Sequence, residues 1–243
     1  MNERHQSMEH HAEAGGLTAS AAGLTLEIAW SPEEGTRETG TLEFRILDTD
    51  RQPVRDFDEQ HERAMHLMVV RRDLSHYQHL HPKMGADGTW AAHLILPGPG
   101  EYRVFADFVT GEKALTLGTD LTVPGNHEPA PLPDPTDTVR VEDYEVALDA
   151  GGAAGGGSPL VFRVSREGRP VQDLEPYLGA LGHLVALREG DLAFLHVHPE
   201  DQARAAGPEI AFHATFPSEG RYRLFLQFSH AGIVRTAAFT VMV

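Results

Sequence analysis

The second half of this chain rewrites the first. RQPVRDF, residues 51–57, lies over GRPVQDL, residues 168–174, and at the same offset of 117 His66 falls on His183, His79 on His196, His81 on His198 and Pro82 on Pro199. After a slip of three residues, His93 falls on His213, Pro97 on Pro217, Gly100 on Gly220, Tyr102 on Tyr222, Phe105 on Phe225 and Phe108 on Phe228 at an offset of 120. A repeat of this length, in a chain of 243 residues, predicts two copies of one domain of roughly 100 residues, each large enough to bury its own core. Eight of the 15 histidines are paired between the copies, so the repeat carries chemistry as well as fold.

Within each copy, short apolar runs alternate with turn signals and little helical period is visible, which is the all-β pattern. The runs are LTLEIAW, GTLEFRIL, MHLMVV, YQHLH, TWAAHLIL, EYRVFADF and ALTLGTDLTV, then YEVAL, LVFRV, GHLVALR, LAFLHVH, EIAFHATF, RYRLFLQF and VRTAAFTV. Seven antiparallel strands per copy predict two tandem immunoglobulin-like β-sandwich domains, with a small barrel as the alternative. PGPGEY and PSEGRY place Tyr102 and Tyr222 where a tyrosine corner sits. The expected boundaries are a flexible His- and Met-containing tail over 1–22, domain one over 23–124, a linker over 125–138 and domain two over 139–243. The linker is expected because five prolines between Pro124 and Asp137 deny donors to a sheet. The tail brings His5, Met8, His10 and His11. GGAAGGGSP, from Gly151 to Pro159, lacks the lysine and following helix of a phosphate loop and reads as a flexible loop.

The histidines gain geometry from hairpin counting. A turn at Glu189-Gly190 sets Leu187 across from Leu192, Val185 across from Phe194 and His183 across from His196, with His198 two residues on and therefore on the same face. A turn at Arg72-Asp73 does the same for His66, His79 and His81. Opposed residues are about 5 Å apart at Cβ and diagonal ones about 7 Å, close enough for three imidazoles to meet on one ion. Each trio is expected at a solvent-open end of its sandwich, just before Pro82 or Pro199. His93 and His213 are candidates for a fourth ligand, and Met68 shares the face of His66 by parity. Neutral imidazole suits zinc, copper and nickel, and thioether beside it favours copper, so copper is preferred to zinc. The competing account is structural: Val185, Leu187 and Phe194 share the histidine face, so the imidazoles could be bonded to one another in a packed sandwich. His61, His76, His127 and His230 lack a repeat partner and read as single surface histidines, and Trp30 and Trp90 as core or rim aromatics.

Composition narrows the alternatives. Zero cysteines exclude disulfides, thiolate zinc sites and iron-sulfur clusters, leaving imidazole, carboxylate and thioether as ligands. Thirty-six acidic against 20 basic residues give a net charge of -16, which repels phosphate backbones and argues against nucleic acid as a partner. No apolar run has the roughly 18 residues of a membrane span, and MNERHQSMEHHAEAGG lacks the apolar stretch of a signal peptide.

MHLMVVRRDLSHYQHLHP and GHLVALREGDLAFLHVHP, in two sandwich repeats without cysteine, resemble uncharacterised bacterial heavy-metal-associated or secreted proteins, and more loosely the copper-handling domains of the CopC and YtkA type. That resemblance implies a periplasmic or extracellular metal-binding protein, while the chain's own residues leave the cytoplasm open. CopC-like domains use a histidine at the mature N-terminus, whereas the first here is His5. Three functions follow in order. The first is metal carriage, sequestration or homeostasis with one histidine cluster per repeat; the second is a tandem binding or adhesion module with structural histidines. The third is a metalloenzyme with a three-histidine site, ranked last because no HExxH, GxSxG or nucleotide motif appears and no catalytic residue can be named. The partner is the metal ion; a protein partner is unknown.

Overall fold

The computed structural model describes residues 15–36, 38–151, 158–199 and 206–243, the side chains of Ser158, His196 and His198 aside. The N-terminal residues with His5, Met8, His10 and His11, and most of the glycine-rich run before Pro159, lie outside the described residues.

The described residues are all-β, and no helix among them is long and apolar enough to cross a membrane. The first repeat holds β1 (Ser20–Ala21), β2 (Leu24–Pro32), β3 (Thr39–Leu47), β4 (His66–Arg71), β5 (Gln78–Leu80), β6 (Lys83–Met84), β7 (Trp90–Ile95), β8 (Gly100–Thr110) and β9 (Lys113–Val123). The second holds β10 (Thr138–Val141), β11 (Tyr144–Ala150), β12 (Ser158–Arg166), β13 (Arg169–Pro170), β14 (Gly182–Arg188), β15 (Phe194–His196), β16 (His198–Pro199), β17 (Glu209–Ala214), β18 (Arg221–His230) and β19 (Ile233–Met242). Sheets of order β1-β2-β3-β7-β6 and β5-β4-β8-β9 make the first sandwich, and β10-β11-β12-β17-β16 and β15-β14-β18-β19 make the second, β13 adding to β12. The chain is thus two tandem immunoglobulin-like antiparallel β-sandwiches, as the repeat predicts.

Alternation fills each core. Leu42, Phe44 and Ile46 of β3 face Leu67 and Val69 of β4 and Val104, Ala106 and Phe108 of β8 in the first sandwich. Val146, Phe162, Phe212, Leu224 and Phe239 do the same in the second. Both tyrosine corners are present: Tyr102 donates to the Gly98 carbonyl at 2.8 Å and Tyr222 to that of Ser218 at 2.9 Å. Gly100 and Gly220, both at φ +141, supply the backbone bend before each.

A third core joins the repeats. Met68, Val70, Leu74 and Phe105 pack against Val185, Leu187, Leu192, Phe194 and Phe225, so β4 and β14 are buried on both faces. That burial explains why MHLMVV and LVAL run apolar without alternating. The interface is isologous. Tyr77 stacks on Phe225 at 4.1 Å, and their repeat equivalents Phe194 and Phe105 meet at 5.5 Å, so a pseudo-two-fold axis relates the copies.

Several expectations are corrected. The expected hairpin register is off by two: Met68, not His66, opposes His79, and Val185, not His183, opposes His196. Each turn sits one residue later, with Leu74 and Leu192 at φ +63 and +61. LAFLHVH splits between the two sheets of its sandwich, β15 in one and β16 in the other, whereas in the first repeat β5 ends at Leu80 and the chain crosses to β6 past His81 and Pro82, which has no N–H to donate. The tail ends earlier than 22. Gly15 exchanges backbone hydrogen bonds with Phe194, Gly16 donates to Thr116 at 2.9 Å, and Arg103 Nη2 donates to the Gly16 carbonyl at 2.6 Å. This segment therefore straps both repeats together. The linker is pinned as well: Ala130 donates to Asp73 at 3.1 Å, and Arg221 donates to the carbonyls of Leu132 and Pro133.

Candidate metal centre

His66 opens β4 and points away from the core of its own sandwich, on the face shared with Met68 and Val70. The register shift of two preserves parity, so His79, across from Met68, stays on that face. Continuing the same register would bring His81 opposite His66. The trio accordingly converges, one ligand nitrogen from each of His66, His79 and His81 lying within 4.8 Å of the others. Its place differs from the expected one. It lies between the two repeats, and His66 is only 2% exposed, rather than at a solvent-open sandwich end.

The ring protons follow from the hydrogen bonds when the Gln227 amide oxygen faces His79. His66 Nε2 is 2.9 Å from the Gln60 carbonyl, which can only accept, so this nitrogen bears the proton and Nδ1 presents a lone pair. His79 Nδ1 is 2.6 Å from Gln227 Oε1 and donates to it, so its Nε2 presents a lone pair too. These two lone pairs face each other across 3.0 Å. In this tautomer the two nitrogens are placed as a pair of ligands; in the other, one donates to the other. Burial lowers the His79 pKa to about 3, with His81 and His66 adding to that effect and the Gln227 hydrogen bond and Asp107 opposing it. Burial, His66 and Arg63 bring His81 to about 4. A proton is therefore a poor occupant at neutral pH. His81 Nε2 is buried and has no hydrogen-bond partner among the described residues.

Two histidines join the cluster from elsewhere. The ring of His183 lies 4.6 Å from that of His79 and 5.7 Å from that of His66, nearly parallel to the latter at 8°. His61, read from sequence as a surface histidine, sits 6.0 Å from His66 and 5.9 Å from His183 by ring centres. His230 is not a free surface residue either, because it bonds Tyr144 at 2.7 Å and Asp173 at 3.1 Å.

His93 and His213 stay away from the trio. Trp90, Ala92 and Leu94 turn β7 inward, so His93 points outward, 3.1 Å from Glu33, on the side of the sandwich away from the second repeat. His213 is likewise exposed between inward Phe212 and Ala214. Met68 lies in the inter-repeat core, directly across from His79. In the second repeat the backbones of His196 and His198 part company, His196 pairing with Val185 and His198 with His213 in the other sheet. The expected placement of their side chains lies outside the described residues. Sequence reasoning missed Gln60, Gln227 and Asp107. The repeat held one signal for them: Asp107 and Gln227 are equivalents at offset 120, and each opposes a clustered histidine, His66 or His183.

A family model described as Domain of unknown function (DUF8832) matches residues 19–125 and again 138–243. No curated protein is detectably similar. Among solved structures, the chain is similar to InvD of Yersinia pseudotuberculosis, at 15% identity and TM-score 0.29, over 92% of this chain and 58% of that one. It is similar to a two fibronectin type III domain segment of chicken tenascin, at 12% identity and TM-score 0.26, over 90% and 97%. A third similar structure is invasin, described as a bacterial integrin-binding protein, at 12% identity and TM-score 0.24, over 89% and 39%.

Proposed function

The chain belongs to the DUF8832 family, whose domain it carries twice, and we propose that it binds a transition-metal ion through His66, His79 and His81, for carriage, sequestration or homeostasis. The carrying observation is that His66 Nδ1 and His79 Nε2 face each other across 3.0 Å while the far nitrogen of each ring meets an amide-type oxygen, of Gln60 or Gln227. Ligand histidines are oriented in this way, by a carbonyl or similar group that fixes the tautomer. Bonds of about 2.0–2.1 Å to a tetrahedral ion put ligand nitrogens about 3.3 Å apart. His66 and His79 are close to that separation already, and His81 closes the remaining distance without breaking a hydrogen bond at Nε2. Met68 across from His79 keeps copper ahead of zinc. The buried position of His66 favours holding an ion over turning over a substrate. A periplasmic or extracellular setting is part of the proposal and is tested by cell fractionation.

One observation favours the second reading, a tandem immunoglobulin-like binding or adhesion module with structural histidines. Turning the Gln227 amide over would let its Nε2 donate to His79 Nδ1, and His79 Nε2–H would then donate to His66 Nδ1, satisfying the chain without an ion. Titrating the apo-protein with Cu(II) and Zn(II) separates the two. Metal binding predicts saturable uptake that the double variant His79→Ala with His81→Ala loses. Uptake no greater than that of a surface-histidine control leaves the structural reading.

A further inference from the structure

We propose that the ion is held once per chain, between the repeats, with His183 as a fourth imidazole, so that metal binding and docking of the two sandwiches are one equilibrium. This rests on the metal-binding reading and changes its consequence, since the doubled sequence motif by itself implies two independent sites.

The argument begins with symmetry. His66 and His183 are repeat equivalents, and their rings lie face to face at 5.7 Å. Residues that meet their own equivalents sit beside the axis of an isologous interface. A pair of equivalent sites at that place merges into one. His79 crosses the same interface twice, with its ring 4.6 Å from that of His183 and its Nδ1 on Gln227. Removing the second repeat would therefore take away both a neighbouring imidazole and the acceptor that orients a ligand.

Charge points the same way. Asp107, 7% exposed, stands across β8 from His66, with Thr116 Oγ1 donating to it at 2.6 Å. Its equivalent in the second repeat is the neutral Gln227, so the axis carries one described buried carboxylate beside the histidines. One carboxylate partly balances one divalent ion, whereas two ions a few ångströms apart would repel strongly in so buried a place. The backbone agrees as well: His198 pairs with His213 in the outer sheet, so the second repeat does not keep its three histidines on one sheet. The nitrogens already within 4.8 Å of one another are those of His66, His79 and His81; with the His183 ring turned to join them, four imidazoles from two bodies would make a closed site of the kind that ties structure together rather than one with an open position.

The test uses the full-length chain with His5, His10 and His11 replaced by alanine, so that the N-terminal segment adds no site of its own. Calorimetric titration with Cu(II), and separately Zn(II), is expected to give one equivalent. His183→Ala is expected to weaken binding at least tenfold, and His183→Gln to behave alike, with circular dichroism confirming the fold. In the parent protein the nitrogen superhyperfine splitting of bound Cu(II) should count four imidazoles, falling to three in His183→Ala, and metal should protect the 124–137 linker from proteolysis only when His183 is present. Two equivalents, three nitrogens in the parent, or unchanged affinity in both His183 variants would overturn the shared site while leaving metal binding intact. No binding by the parent removes the functional reading itself.

Discussion

Replacing Gln227 by leucine removes the acceptor that orients His79 while keeping side-chain bulk. The residue is 6% exposed, its Oε1 takes the His79 Nδ1 proton at 2.6 Å, and its Nε2 makes only a long contact of 3.5 Å with Thr236. Leucine occupies a similar volume, so no large cavity opens and the cost is that of a buried N–H left without a partner, about 1–3 kcal/mol. For a chain of this size each kcal/mol corresponds to about 2–4 °C, so the apo-protein should melt about 2–12 °C lower. The effect on the ion is separate. Loss of an orienting group behind a ligand histidine weakens metal affinity about 10–100-fold, or about 1.4–2.7 kcal/mol. Thermal denaturation with and without Cu(II) or Zn(II), together with calorimetric titration, reads both quantities. A lower melting temperature with metal affinity unchanged within twofold would refute the role of Gln227 behind a ligand; an unchanged melting temperature would refute the hydrogen bond.

Three further outcomes follow from the structure. His79 and His81 are held at about 3 and 4, below the ordinary 6.5, so between those values the unfolded chain binds more protons and stability rises with pH. Full stability is expected above about pH 6.5, and urea unfolding at pH 7 and 5 should show a loss on the order of 2 kcal/mol from His79, with less from the more exposed His81; equal stability at the two values contradicts this. Gly118→Ala would put a Cβ 2.0 Å from the Gly16 carbonyl, displacing the strap and its bonds to Thr116, Gly118 and Arg103, at a cost of about 2–4 kcal/mol. Hydrogen exchange should then accelerate over residues 15–18, and retained protection there would count against the strap. His93→Ala and His213→Ala should each shift stability by no more than about 0.5 kcal/mol and leave metal stoichiometry unchanged, since both face solvent away from the trio; a lost equivalent in either would relocate the site.

Much of this molecule was legible in the chain. Apolar alternation and turn residues determined two all-β sandwiches, the repeat set their number, and the parity of a strand put His66, His79 and His81 on one face. That parity survived a wrong register because a shift of two returns every side chain to the same side. Residue spacing could not say what covers that face. The non-alternating run MHLMVV hinted that both sides of β4 are buried, but only tertiary packing showed that the covering partner is the second repeat. Burial there strips water from the imidazoles, lowers their pKa values and brings His183 and Gln227 to them from more than a hundred residues away. The fold of each copy is local and periodic, hence written in the sequence; the trio is gathered within the first repeat by that same strand pairing, and only docking of the two bodies buries it and sets His183 and Gln227 beside it.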